Sequence, residues 1–330
     1  MSERIKYYDI LRGIAIIAVI LIHTLNVEVN NVISWTAILI RQLINFAVPL
    51  FIALSGYFMA DKVFNTQHTH KMFLEKQLVR VYLPYLIWSL PYMFLGLYFH
   101  ADTILISLFK LITFQTSGIF YYVLLIIQFY VFLPLLKKMA NTKGLIIASL
   151  LSFTSCLVLI FLKLFLEIEV PLIIYAGNLV TWLMFFILGM YLKNNKMNIN
   201  NTALLILIIL SLILEMIVTK IHYDLLNNMN EAITAVKLSS FIYSGMIITL
   251  LLRKKDVYIE NFKFLESLGQ VSYAIYLNHL LILLFVNNFV KEASLTNQLL
   301  IFLFTVGVSY LICIMIKSIN KNIAHKYLGI

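Results

Sequence analysis

Charge is what this sequence has least of. Only 12% of its 330 residues are Asp, Glu, Lys or Arg, while 62% are hydrophobic and the mean hydropathy is +0.94. Soluble chains average about 25% charged residues, so a fully water-facing surface is excluded. The chain has just 2 cysteines, Cys156 and Cys313, both inside apolar runs. They read as small buried side chains, which rules out a disulfide framework and argues against a thiolate metal site. Linkers rich in Gly, Ser or Pro are missing, and no composition break marks an appended soluble domain. Residues 1–330 are therefore expected to form one membrane domain. Alternating apolar and polar strand patterns are missing too, which leaves helices as the spanning elements that satisfy every backbone group internally.

What is present is a series of apolar runs, each long enough to cross about 30 Å of hydrocarbon as a helix. They predict an all-α, polytopic integral membrane protein of about ten spans: 8–27, 37–60, 81–99, 118–136, 144–166, 171–192, 201–219, 235–252, 267–289 and 297–317. Two of these carry an internal cation, Arg41 and Lys163. The segment 61–80 is expected as a short cytoplasmic stretch. With the amino terminus inside, 18 of the 25 Lys and Arg residues fall in inner segments and seven elsewhere. That asymmetry predicts both termini in the cytoplasm and explains the +10 net charge without nucleic acid. The first run is too long for a cleaved signal peptide, holds an arginine, and is followed by no small-residue cleavage site.

Chemistry sits where lipid alone would not tolerate it. Residues 7–24, YYDILRGIAIIAVILIHT, contain Asp9, Arg12 and His23. Eleven residues at 100° each close three turns plus about 20°, so Arg12 and His23 share one helix face about 16 Å apart. Asp9, one turn before Arg12, is placed to pair with it. Such a face points to a polar chamber, since charges facing lipid cost several kcal/mol. A snorkelling Arg12 and a His23 that only bridges helices are the alternative readings. In 70–85, HKMFLEKQLVRVYLPY, Lys76 and Arg80 lie four apart, suited to phosphates or simply part of the inner positive charge. In 267–285, SLGQVSYAIYLNHLLILLF, Ser272, Tyr276 and His279 form one polar stripe. His279 lies about 18 Å into its span, at a depth comparable to His23. Ser55 and Gly56 sit in FAVPLFIALSGYFM, where the glycine suits close helix contact. Tyr121 and Tyr122 fit an interfacial belt or the edge of an acceptor site, and Gln128 falls at mid-depth. Glu215 is an intramembrane acid with no evident role. His68, His70 and His325 read as solvated loop or tail residues.

Together these segments resemble the membrane-bound acyltransferase family 3, bacterial proteins of about ten helices. The resemblance rests on the Arg12-to-His23 spacing, on PLFIALSGYF, on VRVYLPY and on LGQVSYAIYLNH, in that order along the chain. It implies transfer of an acyl group, expected to be acetyl, from cytoplasmic acyl-CoA to a hydroxyl of a cell-surface or lipid-linked glycan. By it His23 is the catalytic histidine and Arg12 organises donor or chamber. Arg80 matches the second arginine of a paired-arginine motif whose first position is here Gln77, with Lys76 beside it. Arg80 and Lys76 are thus the expected donor-binding residues, and Asp9, His279, Tyr276, Ser272 and Ser55 the rest of a polar chamber. No metal and no nucleic acid are expected. The expected partners are the bilayer of the cytoplasmic membrane, the acceptor glycan and glycan-synthesis proteins. A transporter or flippase of a polysaccharide or lipid-linked sugar is the rival reading, since buried ionisable groups mark transport paths as well. A non-catalytic membrane sensor or assembly partner would need none of these histidines.

Overall fold

The computed structural model of the chain describes residues 6–29, 32–64, 66–99, 102–195, 197–253, 260–290 and 294–330. Arg4, Lys196, Lys254, Lys255 and Lys291, all counted in the charge asymmetry, lie outside the described residues. From the amino end come α1 (Lys6–Thr24), a small antiparallel hairpin of β1 (Glu28–Val29) and β2 (Val32–Ile33), α2 (Trp35–Leu43), α3 (Ala47–Met59) and α4 (Gln67–Phe99). The middle holds α5 (Ile104–Ile112), α6 (Tyr121–Val131), α7 (Leu133–Lys138), α8 (Thr142–Leu166), α9 (Leu172–Tyr175) and α10 (Leu179–Asn194). The last third holds α11 (Asn201–Leu226), α12 (Met229–Ala232), α13 (Leu238–Arg253), α14 (Lys263–Gln270), α15 (Ser272–Asn287), α16 (Leu295–Ile319) and α17 (Lys321–Tyr327).

Polar side chains mark the boundaries. Ser34, Asn141, Asn178, Asn200, Ser294 and Asn320 each accept a backbone N–H at the start of the helix they precede, which satisfies donors a helix cannot pair itself. Glu167 and Asn227 end α8 and α11 in the left-handed region, at φ 52° and 48°.

Among the described residues, seven helical runs are long and apolar enough to cross a membrane: α1, α2 with α3, α4, α8, α9 with α10, α11 and α16. The protein is thus an all-α, multi-pass membrane protein. Length alone does not support the full set of ten. The runs expected at 118–136 and 235–252 form shorter apolar helices, Gly118–Val131 and Leu238–Arg253, and Pro134 opens the separate α7 after the first of them. The run at 267–289 is not one straight helix either, because α14 and α15 meet at Val271 with an 83° bend. The stretch at 61–80 is mostly helical, since α4 starts at Gln67 and continues for 33 residues through Pro84 and Pro91.

Two close approaches organise the core. A Cβ on Gly56 of α3 would overlap the carbonyl oxygen of Phe186 on α10. A Cβ on Gly269 of α14 would overlap the carbonyl of Asp9 on α1. The missing side chains let backbones touch, the usual device where packing and not water drives helix association. On the outside, Ile206, Leu210, Ile213 and Ile217 of α11 form an exposed stripe at helical spacing. Such a surface belongs against lipid tails.

Candidate active site

α1 places Asp9 and Arg12 one turn apart, and Arg12 Nη1 donates to Asp9 Oδ1 at 3.0 Å. Asp9 is buried, while 30% of the Arg12 side chain is accessible and its guanidinium lies 4.8 Å over the Phe58 ring. This is a held cation at a cavity wall, in place of a side chain reaching freely for headgroups. The cavity has a volume of about 750 Å³, inside the usual 300–1,000 Å³ range for small-ligand sites. Arg12, Ser55, Arg80, Ser272 and Tyr276 all line it, so α1, α3, α4 and α15 bring five of the expected residues to one space. Its wall also includes Lys317, Lys321, His325 and Ile330. Both ends of the described chain therefore lie at the same end of the bundle.

The rings of Phe51, Tyr122 and Tyr276 line the cavity, whereas neither His23 nor His279 does. Tyr276 stands 5.2 Å from Tyr122 and 6.0 Å from His279, ring centre to ring centre, and His279 stands 5.4 Å from His23. Tyr276 donates its hydroxyl to the Ile119 carbonyl, which pins the ring. The histidine pair thus sits directly behind the tyrosine wall, toward the opposite end of α1 from Arg12.

The two histidines are held differently. His279 is fully buried, and its Nδ1 lies 2.8 Å from the Tyr276 carbonyl and 3.1 Å from that of Ile275. A carbonyl only accepts, so Nδ1 carries the hydrogen, and in the neutral ring Nε2 presents a lone pair. That Nε2 has no hydrogen-bond partner among the described residues. His23 keeps an accessible surface at the end of α1. Arg41 of α2 stands within electrostatic reach of His23 and of Tyr121. Together these groups offer two facing imidazoles, one with a free acceptor nitrogen and one open to an incoming group, with a cation beside them.

Several expected placements change. Lys76 is exposed on α4 and does not line the cavity, although Arg80 one turn later does. Tyr122 is a buried cavity wall and not a belt residue. His325 is no loose tail residue: its Nε2 lies 3.4 Å from Arg80 Nη2. His70 is half-buried, with Nε2 3.2 Å from the Tyr130 carbonyl. Gln128 bridges the start of α10, donating to the Gly177 carbonyl at 2.7 Å and accepting from Leu179 N at 3.0 Å.

A buried polar network was not legible in the sequence. Glu215 Oε1 accepts from Asn45 at 2.9 Å and from Ser240 at 2.5 Å, and Asn45 accepts in turn from Arg41. Lys237, wholly buried, donates to Thr219 at 2.6 Å and to the Ala232 carbonyl at 2.9 Å. Glu215, Lys237 and Arg41 lie within electrostatic reach of one another. The Glu215 acid thus gains partners, and Arg41 a fixed base. The other in-span cation, Lys163, pairs with Glu231 at 2.5 Å. One pattern pointed to part of the missed cavity wall: Lys321 and His325 lie four apart, a helical-face spacing, whereas Lys317 is separated from them by the break at Asn320 between α16 and α17.

A family model described as an acyltransferase domain matches residues 5–317 of the chain. The chain belongs to acyltransferase family 3. Among curated proteins and solved structures, none matches it. The matched residues take in the histidine pair and most of the cavity wall, from α1 through most of α16, while α17, which carries Lys321 and His325 of the wall, lies beyond them.

Proposed function

We propose that this membrane acyltransferase takes an acyl group, acetyl in the simplest case, from cytoplasmic acyl-CoA and passes it to a hydroxyl of a cell-surface or lipid-linked glycan. The cavity end that holds Arg12 and Arg80 faces the cytoplasm of a cell-membrane protein and receives the donor. The acceptor reaches His23 from the other end. The observation that carries the reading is the His23–His279 pair, 5.4 Å apart behind the wall of a cavity that opens among cations.

In the direct route His23 takes the proton of the acceptor hydroxyl, the oxygen bonds to the thioester carbon, the C–S bond breaks, and the thiolate recovers the proton. In the covalent route a His23 nitrogen attacks the thioester carbon and the C–S bond breaks to release the CoA thiolate. The hydroxyl oxygen then attacks the acyl carbon, and the C–N bond breaks to free the imidazole. The hydroxyl proton passes to a ring nitrogen and on to the thiolate. In either route Arg12 holds the donor, while His279 Nε2 accepts a proton or orients the acceptor. The thioester arm has to pass Tyr276, so this ring acts as the gate between the two compartments.

The test is acyl transfer from radiolabelled acetyl-CoA by purified protein in nanodiscs, with a His23→Ala variant that still inserts and extracts normally. The wild type should consume acetyl-CoA, and the variant should lose about 10²- to 10⁴-fold in turnover. Near-normal turnover by the variant ends the assignment, and no consumption by the wild type leaves the transport reading in its place.

A further inference from the structure

The acyl-transfer reading leaves one role without a residue. Attack on a thioester carbon puts negative charge on the carbonyl oxygen, and a donor fixed there beforehand stabilises it best. Arg12 is too far away for this, since eleven residues of α1 separate it from His23 by about 16 Å. Arg41 of α2 stands within electrostatic reach of His23 and of Tyr121. Tyr121 is the neighbour in sequence of Tyr122 on the cavity wall, and it also lies within reach of Tyr276. Arg41 therefore belongs to the histidine side of these tyrosines.

Arg41 is fixed from behind. Its Nη1 donates to Asn45 Oδ1, its one hydrogen bond among the described residues. Asn45 donates in turn to Glu215 at 2.9 Å, and both Asn45 and Glu215 are buried. The guanidinium side chain is only half-buried, so its other N–H groups are left for a ligand. Lys237, wholly buried, lies within reach of the same Glu215 carboxylate. Two cations thus share one acid, and the cluster stays positive whether or not Glu215 carries a proton. Asp224 and Glu231, the next acids along the chain, are engaged by Lys220 and Lys163. Opposite Arg41, His23 is accessible and His279 Nε2 has no hydrogen-bond partner among the described residues.

We propose that Arg41 is a further catalytic residue of the transfer: its guanidinium donates to the thioester carbonyl oxygen at His23 and stabilises the negative charge that forms there. The inference rests on the acyl-transfer reading. When the hydroxyl oxygen, or His23 in the covalent route, bonds to the carbonyl carbon, the C=O electron pair moves onto the oxygen that lies against Arg41. The pair returns as the C–S bond breaks and the thiolate leaves, and the hydroxyl proton travels by way of His23 to the thiolate. Asn45 and Glu215 position the guanidinium and touch no reacting atom.

The test follows single-turnover consumption of acetyl-CoA, read as release of the CoA thiol, by the full chain in nanodiscs. Arg41→Gln should lower the rate about 10²- to 10³-fold, the usual loss when one such donor is removed. The Kd for CoA, which has no thioester carbonyl, should stay within about twofold, because the contact is made in the transition state. Arg41→Lys, which keeps the charge and loses the planar fork, should recover part of the rate. Added methylguanidinium should restore Arg41→Ala but not His23→Ala, a rescue that a structural role does not produce. Lys220→Gln, which removes an exposed cation on α11, should turn over like wild type.

An Arg41→Gln variant that consumes acetyl-CoA like wild type, while His23→Ala does not, overturns the inference and leaves the acyl-transfer reading standing. A Kd for CoA that rises as far as the rate falls also overturns it, since Arg41 then only binds donor. So does recovery of the Arg41→Gln rate by a second change, Glu215→Gln, which would mean that Arg41 only balances that acid. A wild type that consumes no acetyl-CoA sinks the transfer reading and this inference with it.

Discussion

Replacing His279 by Asn separates the two nitrogens of one ring. The Asn amide nitrogen reaches roughly where Nδ1 sits and keeps a donor for the Tyr276 and Ile275 carbonyls, 2.8 and 3.1 Å from the native Nδ1. Nothing then occupies the place of Nε2, which in the native protein is buried without a hydrogen-bond partner among the described residues. A buried orphan acceptor costs about 1–3 kcal/mol, more than the ~1 kcal/mol that a typical internal hydrogen bond contributes. Asparagine brings its own buried acceptor, Oδ1, near the place of Cδ2 and fills less space, so these terms offset and a histidine kept only for packing should change stability little.

If Nε2 serves proton transfer or acceptor orientation beside His23, the same change removes about 10²- to 10⁴-fold of turnover, which is roughly 3–5 kcal/mol of barrier. The assay pairs thermal unfolding in detergent with single-turnover acyl transfer from labelled acetyl-CoA in nanodiscs. The expected outcome for His279→Asn is a nearly unchanged midpoint with a large loss of rate. His279→Gln, which restores an acceptor near Nε2 but cannot take up a proton, separates orientation from relay by recovering rate only in the first case. Turnover above a third of wild type in His279→Asn, or a loss of rate and fold together, refutes the reasoning.

Gly56→Ala should destabilise by about 1–3 kcal/mol, because the new methyl meets the Phe186 backbone and not open space. Gly307→Ala, where a Cβ meets nothing within 4 Å, should gain up to about 1 kcal/mol from helix propensity, and equal midpoints for the two would contradict the close α3–α10 contact. Lys237→Met removes a donor from Thr219 and the Ala232 carbonyl and the ammonium nearest the buried Glu215. It should cost about 3–5 kcal/mol, with Lys237→Met/Glu215→Gln less destabilised than the sum of its parts; a neutral Lys237→Met removes the network from the stability account. Single cysteines at Lys321 and Glu28, read with a membrane-impermeant maleimide in sealed vesicles of known sidedness, should label from opposite faces, Lys321→Cys from the cytoplasm. The native Cys156 and Cys313 are buried and should give little background. Labelling of both positions from one face would overturn the arrangement of α1 across the membrane.

Arg12 and His23 show how far a single helix can be read. Their common face and their separation follow from helix geometry, because both belong to one unbroken α-helix, Lys6–Thr24. The same reading placed Ser272, Tyr276 and His279 on one stripe of α15 and Asp9 beside Arg12. It failed where a side chain's surroundings come from elsewhere. Tyr122 looks like a belt residue from its neighbours in sequence and becomes a cavity wall because Tyr276 packs against it. His325 stays exposed as read, but the docking of α17 on α4 brings its Nε2 to Arg80. Lys76 and Arg80 share a helix face on paper, yet only Arg80 lies deep enough along α4 to reach the cavity.

The sequence by itself determined that the chain lives in a bilayer, since so few charges leave no other solvent for its surface. It also determined which polar groups ride on each helix, since that depends only on a fixed rotation per residue. Tertiary structure alone decided that His279 faces His23, that tyrosines stand between this pair and the cavity lined by Arg12 and Arg80, and that α16 and α17 return to Arg80. These are meetings between helices remote in sequence, governed by where backbones can approach, as at Gly56 and Gly269, and by which buried donors find acceptors. No local periodicity encodes them.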